Sequence, residues 1–407
     1  MTDRKPSVVL GVGGGIAAYK VCEVLRGLTE SGHRVRVVPT AAALRFVGAA
    51  TWEALSGQPV HTDVFSNVPS VEHVRIGQEA DLVLVAPATA DLLAKAAHGV
   101  ADDLLTGTLL TARCPTIFFP AMHTEMWEHP ATQENVATLR RRGVVVPDPD
   151  TGRLTGPDTG KGRLAHPAEI VDLAKLLLAD ADALRRDLEG LSVVVSAGGT
   201  REPLDPVRYL GNRSSGKQGY ALARVAAARG AKVTLVAGHT VTLPTPAGVD
   251  LVSVSTALEM REAMLEAAKE ADVVVMAAAV ADFRPARFTQ HKIKKTGDRP
   301  APIELETNPD VLAELVAQRR PEQVIVGFAA ETGDESADVL EHARAKLRRK
   351  GSDLLVVNAV GDGQAFEVEH NAGWLLAANG TETPIPFGSK SQLAAAVWDA
   401  VAAVAGA

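Results

Sequence analysis

A pair of doubly wound, Rossmann-like α/β domains is the fold class that this sequence predicts. Strand-length apolar runs alternate with longer helical stretches along the whole chain. Glycine-rich turns follow the opening strand of each half, at Gly13-Gly14-Gly15 and at Gly198-Gly199. The composition is rich in Ala, Val, Leu and Gly, with only 4% aromatic residues, which suits helices packed tightly on buried sheets.

Val8–Val12 is the first strand, and after its glycine turn a helix runs from Ala17 to about Ser31. Arg34–Pro39, Leu82–Ala86 and Thr116–Phe119 are further strands. Asp102–Ala112 and Thr132–Arg142 are helical in pattern, and Val144–Val146 closes the sheet. A helix at about Ala168–Leu178 leads into the charged stretch Asp180–Asp187, where the alternation stops. It restarts with the strand Ser192–Ala197, the helix Lys217–Arg229 and the strand Lys232–Ala237. The helix Thr256–Glu270 and the strands Asp272–Ala277, Val324–Phe328 and Leu354–Asn358 continue it, with the helix Asp334–Lys350 between the last two. A hairpin about Asn379-Gly380 and a helix at Ser389–Val404 complete the pattern. The break near residue 185 sets domains over residues 1–188 and 189–407. Ligands of such sheets bind at the carboxyl ends of the strands, where glycine turns meet helix N-termini.

The 407 residues carry a net charge of −7, a balance that argues against broad nucleic-acid binding and leaves room for a local basic pocket. Cys22 and Cys114 alone cannot make a disulfide framework, which points to a reducing, cytoplasmic setting. The N-terminus shows no signal-peptide core, and no apolar run approaches the ~20 residues of a membrane span, so no membrane partner is expected.

Two glycine motifs fall short of their usual meaning. Gly11-Val12-Gly13-Gly14-Gly15-Ile16 has Ile16 where a dinucleotide fingerprint has its third glycine, and no acidic residue ends the strand leading to Thr40. What remains is a turn whose N–H groups can approach one phosphate. Gly211–Gln218 nearly spells a P-loop, but Gln218 stands where a Ser or Thr would hold Mg²⁺, and Pro203 and Pro206 spoil the preceding strand. Ser214 or Ser215 can still cap the following helix and meet a phosphate.

Several longer motifs are more specific. Val12–Lys20, Ala86-Pro87-Ala88-Thr89-Ala90-Asp91 and Pro120-Ala121-Met122-His123-Thr124-Glu125-Met126-Trp127 resemble the flavin-dependent cysteine decarboxylases. Gly198–Lys217, Ala277–Asp282, Lys292-Ile293-Lys294-Lys295 and Gly327–Thr332 resemble phosphopantothenate–cysteine ligase. Their order and spacing are similar to the bacterial bifunctional phosphopantothenoylcysteine decarboxylase/phosphopantothenate–cysteine ligases over nearly the whole chain. The resemblance implies a flavodoxin-like flavoprotein domain followed by a Rossmann-like ligase domain.

In the first domain the resemblance implies FMN. A cysteinyl carboxylate has no group to accept the electrons left by CO₂, and oxidising the thiol to a thioaldehyde supplies that sink. Gly13, Gly14, Ile16, Thr40, Ala88 and Thr89 are the implied FMN contacts. His73 matches the family histidine that acts as a base or positions substrate. Two positions depart from the family pattern: His123 stands where an Asn holds the substrate carboxylate, and Gly156 where a mobile flap carries a proton-donating Cys. An imidazole N–H can hold a carboxylate, while another acid, water or a flap neighbour such as Asp158 is left to give the last proton.

In the second domain the resemblance implies a CTP-dependent ligase that activates 4′-phosphopantothenate as an acyl-cytidylate for attack by cysteine, an electrostatic task of neutralising a triphosphate. Lys292 is the implied catalytic cation, Asn212 the acyl-phosphate contact, and Asp282 a nucleotide and Mg²⁺ contact. Arg208, Ala277, Ala278, Pro309, Asp310, Val311, Leu312, Phe328, Lys346 and Lys350 complete the implied substrate set, the last two spaced to share one helix face. The family forms trimers through the flavin domain and dimers through the ligase domain, which together close into a dodecamer. A flavin-binding regulatory or storage protein and a nicotinamide oxidoreductase are the competing readings.

Overall fold

A computed structural model describes residues 4–63, 71–294, 302–331, 339–359 and 370–406. The chain divides into two compact units, Met1–Arg186 with Pro246–Gly248, and Asp187–Thr245 with Val249–Ala407.

The first unit is built on strands β1 (Ser7–Val12), β2 (Arg34–Pro39), β3 (Leu82–Ala88) and β4 (Thr116–Pro120), all parallel, in the order β2-β1-β3-β4. Every residue of β1 and β3 is buried, which is why both read as unbroken apolar runs. The helix Ala18–Glu30 buries Val21, Val24, Leu25 and Leu28, one stripe at helical spacing. The order is that of a flavodoxin-like sheet, whose switch point lies between β1 and β3.

Val144–Val146 does not close this sheet as a strand. Val145 alone bridges Ile117, donating to the Thr116 carbonyl at 3.0 Å and accepting from Phe118 N–H at 2.9 Å. Pro147 and Pro149 follow at once and cannot donate to a ladder, so pairing stops after one residue. Beyond them β5 (Asp150–Arg153) and β6 (Thr159–Arg163) form an antiparallel hairpin that the sequence pattern does not reveal.

The second unit opens with β7 (Ser192–Ala197) and a small hairpin of β8 (Arg201–Pro203) and β9 (Tyr209–Gly211). Strands β10 (Lys232–Ala237), β11 (Val249–Ser253) and β12 (Val273–Met276) follow, then a second hairpin of β13 (Phe283–Pro285) and β14 (Leu305–Thr307). Strands β15 (Val324–Glu331), β16 (Leu354–Ala359), β17 (His370–Ala377) and β18 (Glu382–Ser389) complete it. The main sheet runs β11-β10-β7-β12-β15-β16-β17-β18, parallel as far as β16 and antiparallel beyond. Its parallel part has the Rossmann order, with the switch point between β7 and β12. The helix Lys217–Ala228 starts after Gly216, whose φ of 77° suits glycine, and neither Ser214 nor Ser215 caps it. That corrects the expected serine cap. Ser214 Oγ instead accepts from Gly216 N–H at 3.4 Å.

Candidate functional site

In the first unit a cavity of about 970 Å³ opens over the carboxyl ends of β1 and β3. Its floor is the loop that precedes the helix Ala18–Glu30. Gly13 donates to the Pro87 carbonyl at 3.1 Å and Gly15 to the Gly13 carbonyl at 3.0 Å. The N–H groups of Gly14, Ile16 and Ala17 have no acceptor among the described residues, so the orphan donors of a helix N-terminus face an anion-sized space. Thr40 and Thr89 flank this loop. Thr40 is anchored by its N–H to the Val12 carbonyl at 2.9 Å, and Thr89 caps the helix Ala90–His98 by accepting from Leu92 N–H at 3.3 Å.

Of the residues expected to meet the flavin, Gly14, Ile16, Thr40 and Thr89 line the cavity. Gly13 and Ala88 lie behind it. Gly13 is there for closeness of backbones, since a Cβ on it would stand 2.3 Å from the Pro87 carbonyl oxygen. Ala88 is fully buried, and its carbonyl accepts from Ala121 N–H at 3.1 Å. Met122, Met126 and Phe46 supply apolar wall.

His123 lines the same cavity, and the β5–β6 hairpin holds its ring. Its Nδ1 is 3.2 Å from Asp158 Oδ2, and its Nε2 is 3.4 Å from Thr155 Oγ1. Asp158 also accepts from Gly156 N–H at 2.8 Å, so the residue at the position of the missing thiol shapes the turn that delivers the carboxylate. Gly160 and Gly162 let the hairpin close on this segment. A Cβ at either would come within 2.2 Å of Thr124 Oγ1 or the Met122 carbonyl oxygen.

His73 is not at this cavity. It sits on the helix Glu72–Glu79 with its ring against Gly107 of the helix Leu104–Thr111, and its buried Nδ1 has no hydrogen-bond partner among the described residues. The helix enters through Val71 at φ 42°, a strained setting for a β-branched residue.

In the second unit the residues expected at the ligase site gather on two sides of the switch point. Asn212 Nδ2 donates to the Val280 carbonyl at 3.1 Å, tying the loop after β9 to the loop after β12. Ala278 N–H donates to Ser196 Oγ at 3.0 Å, Ala279 N–H to the Gly198 carbonyl at 2.8 Å, and Ala281 N–H to Thr200 Oγ1 at 2.9 Å. These bonds hold Ala277–Asp282 open beside the turn after β7. Asp282 is exposed, and its carboxylate has no ion-pair partner among the described residues.

Arg208, expected as a substrate contact, is half exposed and hydrogen-bonded within the protein. Its guanidinium is committed to the buried Asp205 carboxylate at 2.6 and 3.0 Å and to the Ile293 carbonyl at 2.8 Å. Asp205 also accepts from the N–H groups of Val207 and Arg208, both at 2.8 Å, and of Ile293 at 3.1 Å. The pair therefore pins the backbone beside Lys292, whose side chain is exposed. Asp205 lies outside the expected site set; an Asp followed by Pro with a basic residue three positions on is a detectable Asx-turn signal.

The Arg208 guanidinium, helped by those N–H groups, holds the Asp205 carboxyl far below the usual carboxylate range against the opposing effect of burial. A carboxyl depressed in the folded state stabilises that state above its unfolded pKa and loses the effect as pH falls through its folded value. The anchor is thus expected to persist through the ordinary carboxylate range and fail in stronger acid. Hydrogen exchange at Ile293 N–H, corrected for its intrinsic rate and followed against pH, checks this; protection lost near pH 4 would contradict it.

Asp310 caps the helix Val311–Gln318, accepting from Ala313 N–H at 3.1 Å, and pairs with Lys350. Burial opposes its ionisation, but the Lys350 ammonium and the Ala313 N–H outweigh it and hold the carboxyl below its ordinary range. Val311 is buried, and Leu312 packs against Gly327 beside the half-buried Phe328. Lys346 lies one turn before Lys350 on the helix Val339–Lys350. Lys295 and Thr332 fall outside the described residues.

A flavodoxin-ordered unit with an anion-accepting cavity and a Rossmann-ordered unit with a basic loop at its switch point define a two-domain nucleotide-binding α/β protein. Residues 1–178 match the Flavoprotein family model, and residues 188–404 match the DNA/pantothenate metabolism flavoprotein C-terminal domain. The chain is 65% identical over 409 residues to the coenzyme A biosynthesis bifunctional protein CoaBC of Mycobacterium tuberculosis (strain ATCC 25618 / H37Rv), covering 98% of each chain. It is 64% identical to the protein of the same name from Mycolicibacterium smegmatis, covering 99% of this chain and 98% of the relative. A crystal structure of the C-terminal domain of such a protein is 35% identical, covers 54% of this chain and 97% of its own, and superposes with a TM-score of 0.45. The chain belongs to the family of coenzyme A biosynthesis bifunctional proteins, with a flavoprotein decarboxylase domain and a ligase domain.

Proposed function

We propose that the chain makes 4′-phosphopantetheine in two steps. Its second unit joins 4′-phosphopantothenate to cysteine through an acyl-cytidylate formed from CTP, and its first unit decarboxylates the product with FMN. The observation that carries this reading is the cavity at the carboxyl ends of β1 and β3 with the open N–H groups of Gly14, Ile16 and Ala17, in a chain that also carries the Rossmann-ordered sheet of the second unit.

When bound, FMN supplies the two-electron sink and source that a cysteinyl carboxylate lacks. The cavity fits it: the volume is at the upper end for cofactor sites, and the open N–H groups of Gly14, Ile16 and Ala17 suit its phosphate. The His123 ring N–H holds the substrate carboxylate, with Asp158 fixing the ring as the carboxylate partner of a catalytic imidazole does. In its imidazolium form, with Nδ1–H held by Asp158, His123 would give its Nε2 proton to the product carbanion once CO₂ has left and be left as neutral imidazole, in place of a flap thiol. His73, outside its own cavity, acts from a neighbouring copy in a trimer formed through the first unit. Dimers through the second unit extend the trimers to a dodecamer in the cytoplasm.

In the ligase unit Lys292 faces the CTP triphosphate, Asn212 the acyl-phosphate, and Phe328 the base. Among the described residues no three His, Cys, Asp or Glu gather as a metal site. Asp282 would be the protein contact for Mg²⁺, which when bound would neutralise triphosphate charge.

The test incubates the purified chain with 4′-phosphopantothenate, cysteine, CTP and Mg²⁺ and weighs the products. The saturated thiol is expected from the wild type, with the unsaturated thiol accumulating in Asp158→Asn. A colourless protein that leaves CTP intact beside both co-substrates refutes the reading. A saturated product made at the wild-type rate by Asp158→Asn refutes the proton assignment alone.

A further inference from the structure

The charged groups around the first unit's cavity are unevenly matched. On one side Asp91 and Asp102 both pair with Lys95, at 3.5 and 3.0 Å, and Asp103 caps the helix Leu104–Thr111 by accepting from Thr106 N–H at 2.7 Å. That side carries three carboxylates against one ammonium, so it offers an anion no unmatched positive charge. On the other side stand Lys20, in the first turn of the helix Ala18–Glu30, and Arg163, at the end of β6. Lys20 has no carboxylate within ion-pairing distance among the described residues, and Arg163 has Asp150 alone, at 3.9 Å. Gly152 leaves room for the Arg163 side chain to lie along β5, where even a methyl group would come 3.0 Å from its Nη1.

We propose that Lys20 and Arg163 form a phosphomonoester subsite in this cavity, one that takes the phosphate of the cysteinyl substrate. The inference rests on the reading above, in which the cavity receives a phosphorylated flavin and a phosphorylated substrate. Two phosphates require two cradles; of the other cations lining the cavity, Arg153 is turned to the Gly156 carbonyl at 2.7 Å and Lys95 is paired with Asp91 and Asp102. The backbone N–H groups of Gly14, Ile16 and Ala17 are one cradle; the Lys20–Arg163 pair is the other. Two cations with one distant ion-paired carboxylate between them have a standing deficit of negative charge that a dianion corrects. Burial first, and the Arg163 guanidinium second, push the Lys20 ammonium below its usual range by more than Asp150 and Glu23 restore. The subsite makes the domain select for the phosphorylated conjugate over its dephosphorylated form.

The test uses the full chain and compares wild type with the double variant Lys20→Gln/Arg163→Gln and with Arg163→Lys. FMN and riboflavin binding to the apoprotein is read by flavin fluorescence. Binding of phosphopantothenoylcysteine and of pantothenoylcysteine to the FMN-loaded protein is read by calorimetry. The wild type is expected to prefer the phosphorylated conjugate by about 10- to 100-fold, the range of a charge-assisted contact. The double variant should lose that preference while binding pantothenoylcysteine and FMN as the wild type does; Arg163→Lys should keep part of it. Unchanged binding of pantothenoylcysteine also shows that the variant is folded. If the double variant instead loses FMN but not riboflavin, the pair is the flavin's cradle and the proposal is wrong. A variant that binds nothing is judged by Arg163→Lys, whose undiminished preference would equally overturn it. Wild type binding both conjugates alike sinks the subsite and leaves the function standing; wild type binding neither sinks the function itself.

Discussion

Lys292→Gln is expected to lower CTP-dependent pyrophosphate release by about 10²–10³-fold, the usual effect of removing one preorganised donor from developing phosphate charge. The substitution keeps a side chain of similar reach and its hydrogen-bonding capacity but removes the positive charge. The loop carrying Lys292 is not left to chance. Ile293 N–H and carbonyl are both engaged by the Asp205–Arg208 pair, so the lysine's own backbone neighbour is fixed in space. Lys292 has no ion-pair partner among the described residues, so no protein contact is lost on substitution and stability should hold. The flavin absorbance of the other unit should be unchanged, and added phosphopantothenoylcysteine should still lose CO₂. Pyrophosphate release within a few-fold of wild type would remove Lys292 from the site. Asp205→Asn offers a separate reading, because it leaves the charge of Lys292 in place and loosens its position. Its effect should fall mainly on kcat and be smaller than that of Lys292→Gln.

What was legible in the sequence follows from burial. Strands β1, β3, β7 and β12 are covered on both faces, so their Val and Leu runs announce them. Strand β11 is an edge strand whose residues are mostly exposed, and its Val-Asp-Leu-Val-Ser pattern has nothing to enforce it. The β5–β6 hairpin is held by backbone pairing and by glycines pressed against Met122 and Thr124, contacts between segments distant in sequence. The same limit applies to the sites. The Gly13–Ile16 loop lies within a local strand–turn–helix unit, so the pattern itself announces it, whereas Thr89 enters only through the family resemblance. The meeting of His123 with Asp158, and of Lys20 with Arg163, depends on where the hairpin folds back, which no local spacing encodes. The pairing of Arg208 with the buried Asp205 three residues earlier is likewise a feature that the charge of Arg208 alone does not announce.

Gly13→Ala should abolish flavin retention while Gly48→Ala leaves it intact. The contrast isolates close backbone approach from glycine content. At Gly13 the added methyl would stand 2.3 Å from the Pro87 carbonyl oxygen, the same atom that accepts Gly13 N–H. Neither partner is a flexible side chain, so the β1 loop must move away from β3 and the N–H acceptor pair must break. Overpacking of this kind costs about 1–3 kcal/mol, and the lost buried hydrogen bond adds to it. The displaced segment also carries the open N–H groups of Gly14 and Ile16, so the loss should be larger in cofactor affinity than in melting temperature. At Gly48 nothing lies within 4 Å of an added Cβ, and φ is −67°, an ordinary value for alanine. Visible absorbance per chain after gel filtration, together with thermal melting of the apoprotein, gives both quantities. A yellow Gly13→Ala protein with an unshifted melt would mean that the loop has slack which the 3.1 Å Gly13–Pro87 bond says it lacks.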